Sequence, residues 1–193
     1  MALSTEHSKQ SVADEALMLA YAKGQASAFD TLYQRHKQVV YLFFVKQGLP
    51  IAIAEELCHD TWLKLINARE KYQQQALFKT YLFTIARNTL IDYYKKKSTQ
   101  NEDNYNSEDN DLTAALPITQ LCDQQQAQQL KLALSLNIAA LPISQREVFL
   151  LKQESGFSLE QIAQITAQHQ EKVKSSWRYA LQRLRKGLQH YVN

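Results

Sequence analysis

The chain has 193 residues, enough for one ordinary domain or two small ones, with 45% hydrophobic and 21% charged residues, so it can bury a core and is not disordered overall. Four glycines and three prolines amid abundant Leu, Ala, Gln and Lys favour helices over strands. The net charge of +3 is unevenly spread: residues 1–97 hold 13 basic and 9 acidic side chains, 98–129 hold 6 acids and no Lys or Arg, and 130–193 hold 9 basic and 4 acidic ones.

Two basic segments flanking an acidic one fit a polyanionic partner touched at two places. They equally fit two solvated domains with a polar tether, and charge alone leaves both readings open. The longest apolar run, "VVYLFFV", is far too short to span a bilayer. "MALSTEHSKQ" shows no basic stretch followed by an apolar one. Cys58 and Cys122 have no paired spacing. The expectation is a cytoplasmic protein with reduced thiols and no direct membrane insertion.

In chain order, residues 1–12 are expected to be disordered, and a first helix starts after Asp14 and ends at Gly24. The second begins at Ser27, carries Phe29, Leu32, Tyr33, Val40 and Phe43 at helical spacing, and is broken by "GLP" at 48–50. The third runs from about Ala52 to Ala68, with Ala54, Cys58, Thr61 and Leu65 inward. Its opposite face gathers Glu56, His59, Asp60 and Leu63, an acidic patch suited to docking on protein rather than on DNA. The fourth is "YLFTIARNTLIDYYKKK", residues 81–97, with Leu82, Ile85, Ala86, Thr89 and Tyr93 on one face. Thr84, Arg87, Asn88, Ile91 and Lys95 lie on the other.

Ahead of that helix sits "EKYQQQALFKTY", where Tyr72 and Tyr81 stand beside cations, an arrangement suited to stacking on unpaired bases. These aromatics could equally be core, and Phe78 and Phe83 are expected to be. "STQNEDNYNSEDNDL" (98–112) is too polar to offset its ordering by burial and reads as a flexible acidic linker spanning 98–122.

Helix is expected to resume near Asp123. In "LPISQREVFLLKQESG", Ser144 followed by Glu147 reads as a capping box, with Gly156 as the stop. Ser158 and Gln161 repeat the device, and a break at Thr166–His169 leads to a last helix over roughly 170–188. A short helix, a tight break and a longer basic helix make a helix-turn-helix. On the last helix Val173, Trp177, Leu181, Leu184 and Leu188 point inward, and Glu171, Lys174, Ser175, Arg178 and Gln182 point out. Cations, hydroxyls and an amide there suit phosphate and base-edge contacts, although a solvated helix face would look the same. No strand-period segment occurs, so the fold expected is all-α: two small helical domains, 13–97 and 123–193, joined by the linker.

Five histidines, at 7, 36, 59, 169 and 190, have no metal spacing, and adjacent Cys58 and His59 point to different faces. With no Gly-rich phosphate loop or nucleophile elbow, neither an enzyme nor a cofactor or metal site is expected.

Four segments, "ASAFDTLYQRH", "AEELCHDTWLKL", "YLFTIARNTLIDYYKK" and "LPISQREVFLLKQESGFSLEQIAQI…VKSSWRYALQRLRKGL", in this order, resemble the signature segments of bacterial extracytoplasmic-function sigma factors. The resemblance implies a promoter-specificity subunit of RNA polymerase, with a four-helix region 2 domain and a helix-turn-helix region 4 domain. It implies docking on the clamp helices of core polymerase through Glu56, His59, Asp60 and Leu63, and seating of the second domain on the flap. It places Tyr72, Tyr81, Thr84, Arg87, Asn88, Lys95 and Lys96 at the -10 element and the melted strand, and Lys172, Lys174, Ser175, Ser176 and Arg178 at the -35 element. It also implies an anti-sigma protein as a regulator. The chain departs from the family's usual pattern in having His59 for Gln, Tyr81 for Trp, lysines for an Arg-rich end of the fourth helix, and Ser176 for Arg. A stand-alone helix-turn-helix regulator would explain the C-terminal half alone, and a helical adaptor would bind no nucleic acid.

Overall fold

The computed structural model describes residues 12–103 and 125–189. Among them are eight α-helices and no strand: α1 (Asp14–Ala22), α2 (Ala26–Val45), α3 (Ile51–Asn67), α4 (Phe78–Asp103), α5 (Gln125–Ala139), α6 (Ile143–Gln153), α7 (Leu159–Thr166) and α8 (Gln170–Leu188). A single 3₁₀ turn, Arg69–Lys71, follows α3. No described helix is long and apolar enough to cross a membrane.

The first four helices form one module. Leu32, Val40, Phe43 and Phe44 of α2 and Ala54, Leu57, Trp62 and Leu65 of α3 are buried against Phe78, Leu82, Phe83 and Ala86 of α4. The α2–α3 corner requires Gly48, at φ +79°, followed by Pro50 as the residue preceding α3. The N-terminal helix is tied down by its acidic first turn. Asp14 accepts from Arg35 at 2.5 Å and pairs with His36 Nε2 at 2.6 Å, while Arg35 also donates to the Val12 carbonyl. Glu15 accepts the backbone N–H of Phe78 at 2.7 Å, satisfying one of the donors that open α4.

The fourth helix differs from the expectation at both ends. It starts at Phe78, and it continues through 98–103, six residues into the segment read as linker. Polarity alone does not end a helix there, because no Gly or Pro interrupts 78–116 and Ser98 and Thr99 hydroxyls donate back to the Lys95 carbonyl. The rest of the expected linker, Cys122 and all but Val12 of the segment 1–12 expected to be disordered lie outside the described residues.

The second module is built on α8, which contacts α5, α6 and α7. Leu141, Phe149, Leu150, Ala180 and Leu184 form its own cluster, with Trp177 stacked on Phe149 at 5.7 Å. The expected capping box at Ser158 is present: its hydroxyl accepts from Gln161 N–H, and the Gln161 side chain accepts from Ser158 N–H. Ala167, at φ 50° and ψ 41°, makes the left-handed turn of the helix-turn-helix. The box expected at Ser144 and Glu147 does not form. Helix α6 starts two residues earlier, at Ile143 with Pro142 as the residue before it and no side-chain cap, and the Glu147 carboxylate is engaged by Arg87 of α4 instead.

The two modules pack together. Val148, Leu151, Phe157, Ile162 and Ile165 join the same apolar cluster as the first module's core, and Phe157 meets Phe83 edge-on at 5.0 Å between ring centroids. The buried Arg146 guanidinium donates to the carbonyls of Ala139 and Leu141, at and just beyond the end of α5, and to that of Gln47 beyond the end of α2.

Replacing Asp14 with Ala leaves His36 buried without its partner and frees Arg35, so a loss of about 1–3 kcal/mol is expected. Urea unfolding of Asp14→Ala against wild type measures it. An unchanged midpoint means that the first helix is not held through this carboxylate.

Candidate nucleic-acid and protein interfaces

The acidic face of α3 is assembled as its spacing requires. Glu56 and His59 are exposed, Asp60 is half-buried, and Leu63 stands 48% exposed among them. The structure adds what spacing along one helix could not supply. A groove of about 490 Å³ runs between α2 and α3, lined by Phe29, Tyr33, Lys37, Cys58, His59 and Trp62. Its aromatic floor is ordered: Trp62 meets Tyr33 at 5.0 Å and Phe29 at 6.0 Å, both edge-on. Phe29 and Tyr33 were legible only as positions on an apolar stripe of α2; that the stripe is left half-open by α3 is a tertiary fact. Carboxylates on a rim beside a partly exposed aromatic floor suit a protein partner, in which aromatic anchors carry the contact and charges steer it. The Cys58 thiol in this groove is pushed up by burial, with the neighbouring Trp62 indole acting weakly the other way, and is no activated nucleophile.

Along α4, Asn88, Lys95 and Lys96 are exposed, and Thr84 is half-buried with its hydroxyl on the Thr80 carbonyl. Arg87 points from the same side of the helix but is not free. Its Nε donates to Glu147 of α6 at 3.0 Å, and the two side chains are 16% and 8% exposed. Burial pushes the Glu147 carboxyl above the usual carboxylate range, and Arg87 pulls it back. The face opposite the core, expected to be open, is covered over part of its length by the second module.

The tyrosines ahead of α4 divide. Tyr81 is half-buried, whereas Tyr72 is 7% exposed with its ring 5.1 Å from that of Tyr81. This corrects the expectation for Tyr72. It backs Tyr81 from inside and offers no open face for a base; burial pushes its hydroxyl up, with Glu15 and Tyr81 adding to the effect. Tyr81, whose hydroxyl is likewise raised by burial, is the aromatic nearest the surface. Phe78 and Phe83 are fully buried, as expected.

On α8, Lys172 and Arg178 are exposed, and Lys174, Ser175 and Ser176 are half-buried. Lys174 reaches Glu171 at 2.7 Å, which holds the exposed Glu171 carboxyl below the usual range. Arg178 contacts the Ser175 hydroxyl at 3.4 Å. Ser176 stands one turn from the buried Val173 and Ala180, so it borders the packed side rather than the centre of the outer face. Farther along, Gln182, Arg185 and Lys186 extend the basic strip past Arg178, a continuation that the sequence carried as "QRLRK". On α5 and at the first residue of α6, Leu132, Leu136 and Ile143 are about half-exposed, at 51, 53 and 55%. Among the described residues no three His, Cys, Asp or Glu side chains lie together as a metal site would need.

Comparison with known proteins fits this geometry. Residues 32–100 match the family model for Sigma-70 region 2 and residues 131–186 that for Sigma-70, region 4. The chain is 24% identical over 166 residues to the ECF RNA polymerase sigma factor SigX of Bacillus subtilis, covering 83% of this chain and 84% of that one. It is 29% identical over 145 residues to the RNA polymerase sigma factor CarQ of Myxococcus xanthus, covering 75% and 80%. Among solved structures, the sigma factor RpoE of Bartonella quintana in complex with the anti-sigma factor NepR superposes with a TM-score of 0.67 at 26% identity, over 83% of this chain and 96% of that one. CnrH in complex with the cytosolic domain of CnrY gives a TM-score of 0.68 at 21% identity, over 92% and 97%. With both family regions present in order and relatives aligned across most of its length, the chain belongs to the sigma-70 family of transcription initiation factors, in its extracytoplasmic-function group.

Proposed function

We propose that this sigma factor binds core RNA polymerase, directs it to promoters with paired -35 and -10 elements, and stabilises the melted -10 strand. The observation that carries this reading is the division of labour on α4. One helix packs its apolar side into a bundle and leaves Asn88, Lys95 and Lys96 in a row beside Arg87, on a chain that also holds a helix-turn-helix.

The lysines attract the phosphate backbone without reading sequence. Asn88 has an amide that can both donate to and accept from a base edge, and Tyr81 lies at the head of the same helix as a platform for an unpaired base. A base held out of the stack offsets several kilocalories of melting, on the logic of flipped-base readers. In the second module, Lys172, Lys174, Ser175 and Arg178 enter the major groove at the -35 element, with Ser176 at the margin. Arg185 and Lys186 hold the adjacent phosphates.

Two surfaces are assigned to core polymerase. The rim of Glu56, His59, Asp60 and Leu63 with the aromatic groove beneath it docks on the clamp helices, and the half-exposed Leu132, Leu136 and Ile143 seat the second module on the flap. RpoE, a neighbour in structure, was solved with an anti-sigma factor, and a protein of that kind is the proposed regulator here. The protein acts by binding, with no catalytic step of its own, inside the cell where polymerase works.

Promoter-dependent run-off transcription with purified core polymerase tests the whole reading. Specific transcripts are expected; failure to associate with core, with salt-sensitive DNA binding by the free chain retained, moves the assignment to a stand-alone helix-turn-helix regulator. Within the reading, Asn88→Ala should reduce permanganate reactivity of the -10 strand about tenfold while closed-complex binding stays within about twofold, as loss of one base contact of about 1–3 kcal/mol implies. Equal losses in both would remove Asn88 from strand capture. Glu56→Lys with Asp60→Lys should weaken core association tenfold or more by juxtaposing like charges, measured by titrating core polymerase, with DNA binding by the free chain unchanged or tighter.

A further inference from the structure

The loop 72–77, between the 3₁₀ turn and α4, is held at both ends by the same element, α1. At its far end Glu15 accepts the backbone N–H of Phe78, the first residue of α4, at 2.7 Å. At its near end Arg69, which opens the 3₁₀ turn, lies over the Tyr21 ring at 5.8 Å. Tyr21 in turn meets Phe29 at 5.0 Å between ring centroids. Between these two points residues 73–77 are all exposed, and the hydrogen bonds between loop residues join Gln75 to Gln73. A loop with so little support of its own takes its shape from where its ends are fixed.

Helix α1 stays seated without these two contacts. Met18 is fully buried, and Asp14 is bound to Arg35 and His36 of α2. Glu15 is half-buried and directs its carboxylate to the head of α4 instead. The Phe78 ring is fully buried there, but apolar burial has no direction, so it sets the depth of the helix head and not its orientation. A hydrogen bond to a carboxylate is directional and charge-assisted, and it supplies that orientation. Tyr81 follows within the same turn of helix. Tyr72, which backs it, lies close to the same carboxylate: burial first, then Glu15, push the Tyr72 hydroxyl up.

We propose that α1 is a brace for strand capture, in which Glu15 and Tyr21 are positioning residues that hold loop 72–77 and Tyr81 in place without touching DNA. This rests on the reading of Tyr81 as the platform for an unpaired base. A binding group serves well only when its neighbours hold it to within about 0.5 Å of its working position. The ordering cost of the platform is then met on folding, before the strand arrives.

Holoenzymes assembled from core polymerase and full-length variants are titrated with two DNAs, a -35 duplex and a fork whose -10 strand is single. Glu15→Ala should weaken fork binding about tenfold, as loss of a hydrogen bond to a charged group implies, and leave the duplex within about twofold. Glu15→Gln keeps a side-chain oxygen as acceptor and should bind the fork within about twofold of wild type. Both substitutions remove the same charge, so their difference isolates the acceptor. Tyr21→Leu keeps apolar contact with Phe29, removes the ring under Arg69 and should give an intermediate loss. Circular dichroism verifies folding, and Tyr21→Leu takes the place of Glu15→Ala if that variant does not fold. In a Tyr81→Ala background the Glu15→Ala loss should vanish, because the brace has no platform left to place.

A Glu15→Ala holoenzyme that binds the fork like wild type overturns the brace. So do equal losses on fork and duplex, a Glu15→Gln that fails to rescue, and a loss that persists undiminished beside Tyr81→Ala. If Tyr81→Ala alone binds the fork like wild type, the platform itself falls, and the brace with it.

Discussion

Helix α4 is a wall shared by two rooms, and that constraint organises the rest of the molecule. An amphipathic helix ordinarily buries one stripe and leaves the remainder to water. Here Leu82, Ala86 and Thr89 face α1–α3 while Phe83 meets Phe157 and Arg87 meets Glu147 from the second module. Burying the Phe83 and Phe157 rings is worth about 1.5–3 kcal/mol each relative to exposing them. The Arg87–Glu147 pair adds little net stability, since desolvation offsets most of its attraction, but losing one partner would leave the other uncompensated. Apolar contact therefore supplies adhesion and charge supplies alignment.

The elements that could be read from the chain are those whose determinants are local. Ser158 with Gln161 announces a helix start because both partners of the reciprocal hydrogen bonds lie within three residues. Gly48 and Pro50 announce the α2–α3 corner for the same reason. The misreadings share the opposite property. Ser144 and Glu147 show the same spacing as a true box, but Glu147 is taken by a guanidinium 60 residues upstream in sequence, and nothing near position 147 records that. Composition puts the end of α4 at the last lysine, whereas backbone propensity, with no Gly or Pro in reach, carries the helix on.

The candidate sites divide along the same line. Outward-facing residues of α3 and α8 follow from helical period, and Glu56, His59, Leu63, Glu171, Arg178 and Gln182 are at the surface where period puts them. Surfaces made by two elements do not follow from it. The aromatic floor between α2 and α3 required knowing that Trp62 meets Tyr33. The burial of Tyr72 required knowing that Tyr81 lies over it. Aromatic residues beside cations have the same look in sequence whether they wait for a base or fill a corner.

The hydrogen bond from Phe78 N–H to Glu15 has a consequence for dynamics. Helix ends normally fray by themselves, because their first amides answer only to local caps. The start of α4 answers to a carboxylate 63 residues earlier, on a helix that is pinned through the neighbouring Asp14 to Arg35 and His36. The loop 72–77 thus ends on a point fixed by α1 and α2, and α1 and the first turn of α4 form one cooperative opening unit. Amide exchange at the head of α4 is governed by detachment of α1, and whatever grips the N-terminal helix also sets how firmly Tyr81 is held.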